Sequence, residues 1–272
     1  MLAPQSPGEV LRSLRVGRRL SQEELAHRAE ISTRHLSCLE TGRARPSHRM
    51  LQVLGAAMDL PLRVRNALFV ASGFAPVYER LPLDDPAMSR VREAIARTLA
   101  LYEPHPAMLL DRFHNVLELN DGAARLLAWS GARFPPGAVP NAMRALFDAS
   151  YGLRECIVGF DGLADEVLAR LRSEADVDPT LRAFVEEMQR LRGPAGQPVD
   201  REALNPVALP IHLRRDGANL RYFTTITTLG TPLDVTAQEL RIEGWFPIDD
   251  ETQAFGQRMA ALRRAECRDG DT

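Results

Sequence analysis

Few side chains in this 272-residue sequence are spaced for covalent or metal chemistry. Its three cysteines, Cys38, Cys156 and Cys267, lie far apart and form no CxxC pair. A disulfide framework and a thiolate zinc site are therefore both poor readings, and a reducing compartment, the cytoplasm, fits. His27, His35 and His48 have no carboxylate or thiol at ligand spacing and read as surface residues. Cys156 and His212 are conceivable as nucleophile and base, but nothing in the sequence orders them. No nucleophile elbow, phosphate loop or metal motif is present, and Glu186-Glu187 is an ordinary charged helix face. Neither catalysis nor a metal or cofactor is expected. What the sequence does concentrate is positive charge. Residues 1–75 hold 11 Arg against 6 acidic residues, a net +5, while the remainder holds 23 Arg against 30 acidic residues, a net −7. A basic head on an acidic body suits a polyanion-binding module fused to a part that does not touch the polyanion.

The elements that must carry this charge follow from pattern. The length predicts two domains, and 45% hydrophobic with 26% charged residues is ordinary globular composition. No apolar run approaches the roughly 20 residues of a membrane-spanning helix. MLAPQSPGEVLRSLR lacks the apolar core of a secretory signal. In the head, Val10, Leu11 and Leu14 recur at helical spacing. Ser21-Gln-Glu-Glu24 is a capping box ahead of Leu25, Ala26 and Ala29. Ser32 caps a third segment that buries Leu36 and Leu39 and is stopped by Thr41-Gly42. Pro46-Ser47 starts a fourth with Met50, Leu51, Leu54 and Met58 on one face, and Pro61 starts a fifth running to Gly73.

Residues 76–101 read as a connector and a helix from 87. Two apolar runs, 107–111 and 115–119, flank an Arg112–His114 turn, a hairpin signal. Residues 121–129, 141–149, 162–175 and 179–192 are helical in spacing, and Asn120-Asp121 caps the first of these. After the Gly/Pro break at 193–198 come three strand signals, Val207–Leu213, Leu220–Leu229 and Ala237–Trp245, with Asp216-Gly217 as a two-residue hairpin turn. Short sequence-adjacent connections predict an antiparallel meander, hence an α+β body over 102–250. Residues 251–272 read as a C-terminal helix and tail.

The segment SQEELAHRAEISTRHLSCLETGRARPS, with its spacing from Arg15, resembles the phage-repressor-like, or xenobiotic-response-element, helix-turn-helix family over residues 8–60. Glu30 departs from the Gly or small residue usual there. The resemblance implies that the helix from Ser32 enters the major groove of double-stranded DNA, with Thr33, Arg34 and Cys38 at base edges and Ser37 one turn beyond Arg34. Arg34 is the sharpest candidate, because a guanidinium binds guanine O6 and N7 bidentately. It places Gln22 at a phosphate and Arg43 and Arg45 along the backbone. It also makes Arg15 and Glu40 a partly buried structural ion pair.

The body resembles the C-terminal domain of MmyB-like regulators, on PAMLLDRFHNVLELNDGAARLL and NLRYFTTITTLGTPLDVTAQELRIEGWFP. The head's continuation through LPLRVRNALFVASGFAP also fits. That resemblance implies an all-α five-helix domain (1–75) followed by a PAS-like α+β domain, an antiparallel sheet with helices on one side, able to hold a fatty acid or other small apolar effector. Expected wall residues are Leu109, Leu117, Leu127, Trp129, Phe134, Phe160, Tyr222, Ile226 and Trp245. Arg112 or Arg221 would meet a carboxylate. The leading expectation is a homodimeric, ligand-responsive regulator away from the membrane. The alternatives are a body that is an interaction module without ligand, and an enzyme with a DNA-binding head.

Overall fold

Serine caps set the beginnings of the head's helices. The computed structural model describes residues 6–194 and 210–269. It begins with α1 (Pro7–Gly17), α2 (Gln22–Arg28), α3 (Thr33–Glu40), α4 (His48–Ala57) and α5 (Leu62–Ala71). The hydroxyls of Ser6, Ser21, Ser32 and Ser47 each accept from a backbone amide three residues on, and Ser6 and Ser21 complete capping boxes with Glu9 and Glu24. These bonds satisfy amides that a helix start leaves without partners. Periodic leucines then meet in one core, including Leu11, Leu25, Leu36, Leu39, Leu51, Leu54 and Leu68. Each leucine so buried stabilises the head by about 1.5–3 kcal/mol. In the turn between α2 and α3, Glu30 has φ 54°. That left-handed conformation costs a residue with a Cβ about 1–2 kcal/mol, which is the physical reason for Gly at this place in similar sequences. Gly8 matters for close approach instead. A Cβ there would lie 2.5 Å from the Glu40 carbonyl oxygen, so its absence lets α1 rest on the end of α3.

Beyond the head follow a 3₁₀ turn, Pro86–Met88, and α6 (Ser89–Leu101). Then come β1 (Ala107–Leu110), β2 (Val116–Leu119), α7 (Asp121–Ser130), α8 (Ala142–Phe147), α9 (Phe160–Val177) and α10 (Arg182–Arg192). The chain ends with β3 (Ile211–Arg215), β4 (Ala218–Thr227), α11 (Val235–Glu239), β5 (Arg241–Pro247) and α12 (Asp250–Asp269). The five strands form one antiparallel sheet in the order β2-β1-β5-β4-β3. The expected α+β body is therefore present. Asp216 and Gly217, both at positive φ, make the expected tight turn between β3 and β4. Asn120 caps α7 as expected, its Oδ1 accepting from Ala123 N at 2.8 Å.

Two expectations are corrected. The connections are not all sequence-adjacent, because β5 pairs with β1 as well as β4. The segment from Ala237 is not a strand at its start. Asp234 accepts from Ala237 N at 2.9 Å and caps the short helix α11, so β5 begins only at Arg241. Of the strand expected over Val207–Leu213, residues 211–213 lie in β3, and 207–209 lie outside the described residues.

The chain forms two compact units. The first comprises Met1–Pro82 with Arg172–Arg182 and Thr231–Gln238, and the second comprises the rest. Within the first, the amide of Leu81 donates to the Asp234 carboxylate at 2.8 Å, that of Val235 to the Glu79 carbonyl at 2.8 Å, and that of Leu62 to the Gln238 side chain at 2.6 Å. Within the second, α6 covers one sheet face. Ile95 and Leu99 pack on Ala107, Leu109, Leu240 and Ile242, and a Cβ on Gly244 would overlap the Tyr102 ring.

Candidate functional site

Two sites emerge, one on the head and one inside the body. On the head, α3 buries Leu36, Leu39 and Glu40 and turns the opposite side outward. Thr33 and Arg34 are exposed there, and Ser37 and Cys38 are half-buried at its margin. Arg43 and Arg45, in the loop after α3, are exposed. The outward arc thus presents a guanidinium, two hydroxyls and a thiol, with two more guanidinium groups beyond the helix end.

The inward side is held by a bidentate ion pair. Arg15 Nε and Nη2 donate to Glu40 Oε1 and Oε2 at 2.6 and 3.0 Å, and Arg15 Nη1 donates to the Leu20 carbonyl at 2.7 Å. Gln22 Nε2 donates to Glu40 Oε2 at 2.7 Å, so this side chain, expected at a phosphate, is tied to the buried pair. Burial alone would raise the Glu40 carboxyl. Hydrogen bonds from Arg15 and Gln22, with the charges of Arg15 and Arg12, outweigh it and hold the group below its ordinary value. The pair ties the first helix to the third and so fixes which side of α3 faces out.

In the second unit, the sheet face opposite α6 and the helices α7, α8 and α9 enclose a cavity of about 360 Å³. That is within the usual size range of small-molecule sites, roughly 300–1,000 Å³. Its walls are mainly aliphatic: Met108 and Leu119 from the β1–β2 hairpin, Leu126 and Leu127 from α7, Met143 and Leu146 from α8, and Leu163 and Val167 from α9. Polar groups are few. Thr224, Glu243 and Trp245 reach the cavity from β4 and β5, and Arg170 from α9.

Glu243 is buried, and its Oε1 accepts from the indole Nε1 of Trp245 at 3.0 Å. Burial pushes this carboxyl above its ordinary value, against the opposing influence of Arg170, Trp245 and Arg241. His114, at the β1–β2 turn, is 1% exposed, and both ring nitrogens are buried without a hydrogen-bond partner among the described residues. Burial, then the charges of Arg241 and Arg170, lower it to about 3, so the ring is neutral at pH 7.

Of the nine wall residues expected, Leu127, Phe134 and Trp245 line the cavity. Leu109 packs under α6 on the other sheet face. Leu117 and Ile226 are exposed and do not line the cavity. Trp129 meets Phe255 of α12, Phe160 lies beneath the Arg154 guanidinium, and Tyr222 is buried against Trp245. Arg112 lies 3.5 Å from Glu239 and over the Phe113 ring, away from the lining. Arg221 is also absent from the lining, and the cation at the cavity is Arg170. Cys156 and His212 lie on neighbouring backbone but bond to different groups: the thiol faces the Leu153 carbonyl at 3.1 Å, and the imidazole faces Asn219 at 2.5 Å.

Comparison with known proteins places both sites in a family. The model of a helix-turn-helix domain matches residues 8–68. That of the MmyB-like transcription regulator ligand binding domain matches residues 91–259, well over half of the chain. The chain belongs to the MmyB-like transcription regulators. It is accordingly a DNA-binding transcription regulator with a ligand-binding domain. The MmyB-like match spans every strand of the sheet and all three helices around the cavity. No curated protein matches the chain. Among solved structures, an RNA-binding light-oxygen-voltage receptor is similar at 12% identity with a TM-score of 0.26, over 95% of this chain and 62% of that one. The chain thus spans less than two thirds of that protein's length. Among the described residues, no helix is long and apolar enough to cross a membrane.

Proposed function

We propose that the protein binds a palindromic operator as a homodimer in the cytoplasm and changes its grip on DNA when a small apolar molecule, such as a fatty acid, occupies the body. The observation that carries this reading is the pairing of an outward Arg34 on α3 with a mainly aliphatic cavity behind the sheet. The head extends to residue 75, the connector covers 76–101, and the PAS-like sensing domain covers 102–250, with a C-terminal helix and tail over 251–272. A five-stranded antiparallel sheet with its helices inserted between β2 and β3 supports the PAS-like description.

Arg34 reads a guanine, with Thr33, Ser37 and Cys38 at neighbouring base edges. Arg43 and Arg45 hold phosphates, while Gln22 stays tied to Glu40. Half-sites lie about one helical turn apart. The strands β4 and β5, which both contribute to the cavity wall, are joined through residues 231–238, a segment that belongs to the first unit. A shift of those strands on filling the cavity therefore reaches that unit along the chain.

The test is titration of an operator duplex and a scrambled duplex with wild type and Arg34→Ala at several salt concentrations. Arg34→Ala is expected to lose about 1–3 kcal/mol of discrimination between the two duplexes. Arg43→Ala and Arg45→Ala are expected to weaken both duplexes alike and to flatten the salt dependence. Equal affinity for the two duplexes in both wild type and Arg34→Ala rejects base reading by α3.

A further inference from the structure

The cavity has a polar station that its aliphatic walls do not explain. Among the described residues, Arg170 and Glu243 are the only charged side chains that line it. They approach it from opposite sides, Arg170 from the covering helix α9 and Glu243 from the sheet strand β5. The charge of Arg170 reaches the Glu243 carboxyl, yet among the described residues no ion pair within 4.0 Å joins them. Arg170 Nε is buried with no hydrogen-bond partner among the described residues. Among the described residues, the one hydrogen bond to the Glu243 carboxyl comes from Trp245 and occupies Oε1. Arg170 as a whole is half-buried and Glu243 is buried. A guanidinium with a buried, unpartnered Nε and a buried carboxyl that face one cavity without meeting are costly unless a third group satisfies both.

We propose that Arg170 and Glu243 form one head-group station for an anionic amphiphile: the guanidinium donates to a ligand carboxylate, and Glu243, taking one proton from solvent, donates its acid hydrogen to the same group. The ligand's chain then lies along the aliphatic walls between α7, α8 and the β1–β2 hairpin. This rests on the reading of the cavity as an apolar-ligand site and adds which group of the ligand is read, by which residues, and with what proton uptake.

The charged surroundings of Glu243 agree. Arg170 faces it from α9 and Arg241 from its own strand. His114 lies beside the same two cations and is neutral. β1 and β4 place Met108 and Ile226 opposite it and contribute no titratable group, and neither do the walls from α7 and α8. Burial already favours the acid form of Glu243, and a second carboxylate at the station favours it further. A neutral head group would accept from Arg170 without requiring that proton.

Isothermal titration of the full chain with decanoate and with decan-1-ol, across a pH series and in two buffers of different ionisation heat, tests the proposal. Decanoate is expected to bind wild type about tenfold or more tightly than decanol, the ratio expected of a charge-assisted hydrogen bond. Its binding takes up one proton, and its affinity falls about tenfold per pH unit above the Glu243 titration. Decanol shows no such slope. Glu243→Gln, which keeps a donor and cannot titrate, is expected to bind decanoate with no pH slope and no proton uptake. Arg170→Met is expected to lose the preference for decanoate while still binding decanol. Arg170→Lys, which keeps the charge, is expected to retain part of that preference. Decanol binding wild type as tightly as decanoate overturns the station and leaves the apolar-ligand reading intact, as does an unchanged pH slope in Glu243→Gln. Failure of both molecules to bind overturns the two together.

Discussion

Replacing Glu40 with alanine is expected to destabilise the protein by about 3–5 kcal/mol, because it leaves the Arg15 guanidinium buried without its counter-charge. Arg15 keeps only the Leu20 carbonyl in that variant, and Gln22 loses its acceptor. Arg15→Ala is expected to cost a similar amount by stranding the carboxylate. The double variant Arg15→Met/Glu40→Leu should recover most of either loss, since two apolar side chains of similar size need no partners. The exposed pair Arg97–Glu93, also 2.6 Å apart and four residues apart on one helix, serves as the comparison. Its disruption is expected to cost no more than about 0.5 kcal/mol, because water screens both partners. Urea unfolding of the four variants measures these differences. A loss below about 1 kcal/mol in Glu40→Ala, or a double variant as unstable as the singles, contradicts the assigned role of the pair.

Acid is the second large lever, through His114. Its ring stacks on Phe184 at a centroid distance of 6.2 Å, is 1% exposed, and is lowered to about 3 by burial and by the charges of Arg241 and Arg170. In the unfolded chain it titrates near 6.5. Between about 6.5 and 3 the unfolded state therefore binds a proton that the folded state refuses. Stability is present above about 6.5 and falls with pH by up to about 1.4 kcal/mol per unit.

Glu40, held low in the fold, adds to the loss as pH falls below the ordinary carboxylate range. Glu243, held high, works the other way: its contribution is present at low pH and is lost as pH rises through its folded value. His114→Asn separates these effects, since asparagine tolerates the φ of 59° found at this position. Urea unfolding at pH 7, 6 and 5 is expected to show a steep fall in wild type and a flat or rising profile in His114→Asn. The same slope in both proteins contradicts a neutral buried imidazole.

The parts of the molecule legible in the sequence are those decided by neighbours along the chain. A serine hydroxyl satisfies an amide three residues away, so Ser21 and Ser32 reveal the starts of α2 and α3 wherever the helices later pack. Asp216-Gly217 is legible for the same reason, because only two residues set that turn. The start of β5 is not, because Ala237 begins an apolar alternation and the capping carboxylate of Asp234 is silent unless the preceding loop is known to turn.

The cavity is harder still. Alternation says that Leu109 and Met108 face opposite sides of a strand but not which side the helices leave open, and a register shift between Leu109 and Leu110 disturbs the count further. Arg170 reads as one more charge on an amphipathic helix. Glu243 carries the one available signal: a carboxylate two residues before Trp245, on the same face of a strand otherwise fit for burial.

Operator affinity measured with the cavity empty and with the cavity filled tests most directly whether body and head act as one device. Protein stripped of apolar molecules and then loaded stepwise with decanoate, its occupancy followed by native mass spectrometry, is titrated with a labelled operator duplex at fixed salt. A change of about five- to 150-fold in operator affinity between empty and filled protein is expected, the usual range for coupled sites. Identical affinity at every occupancy contradicts a ligand-responsive regulator and leaves the body as an interaction module.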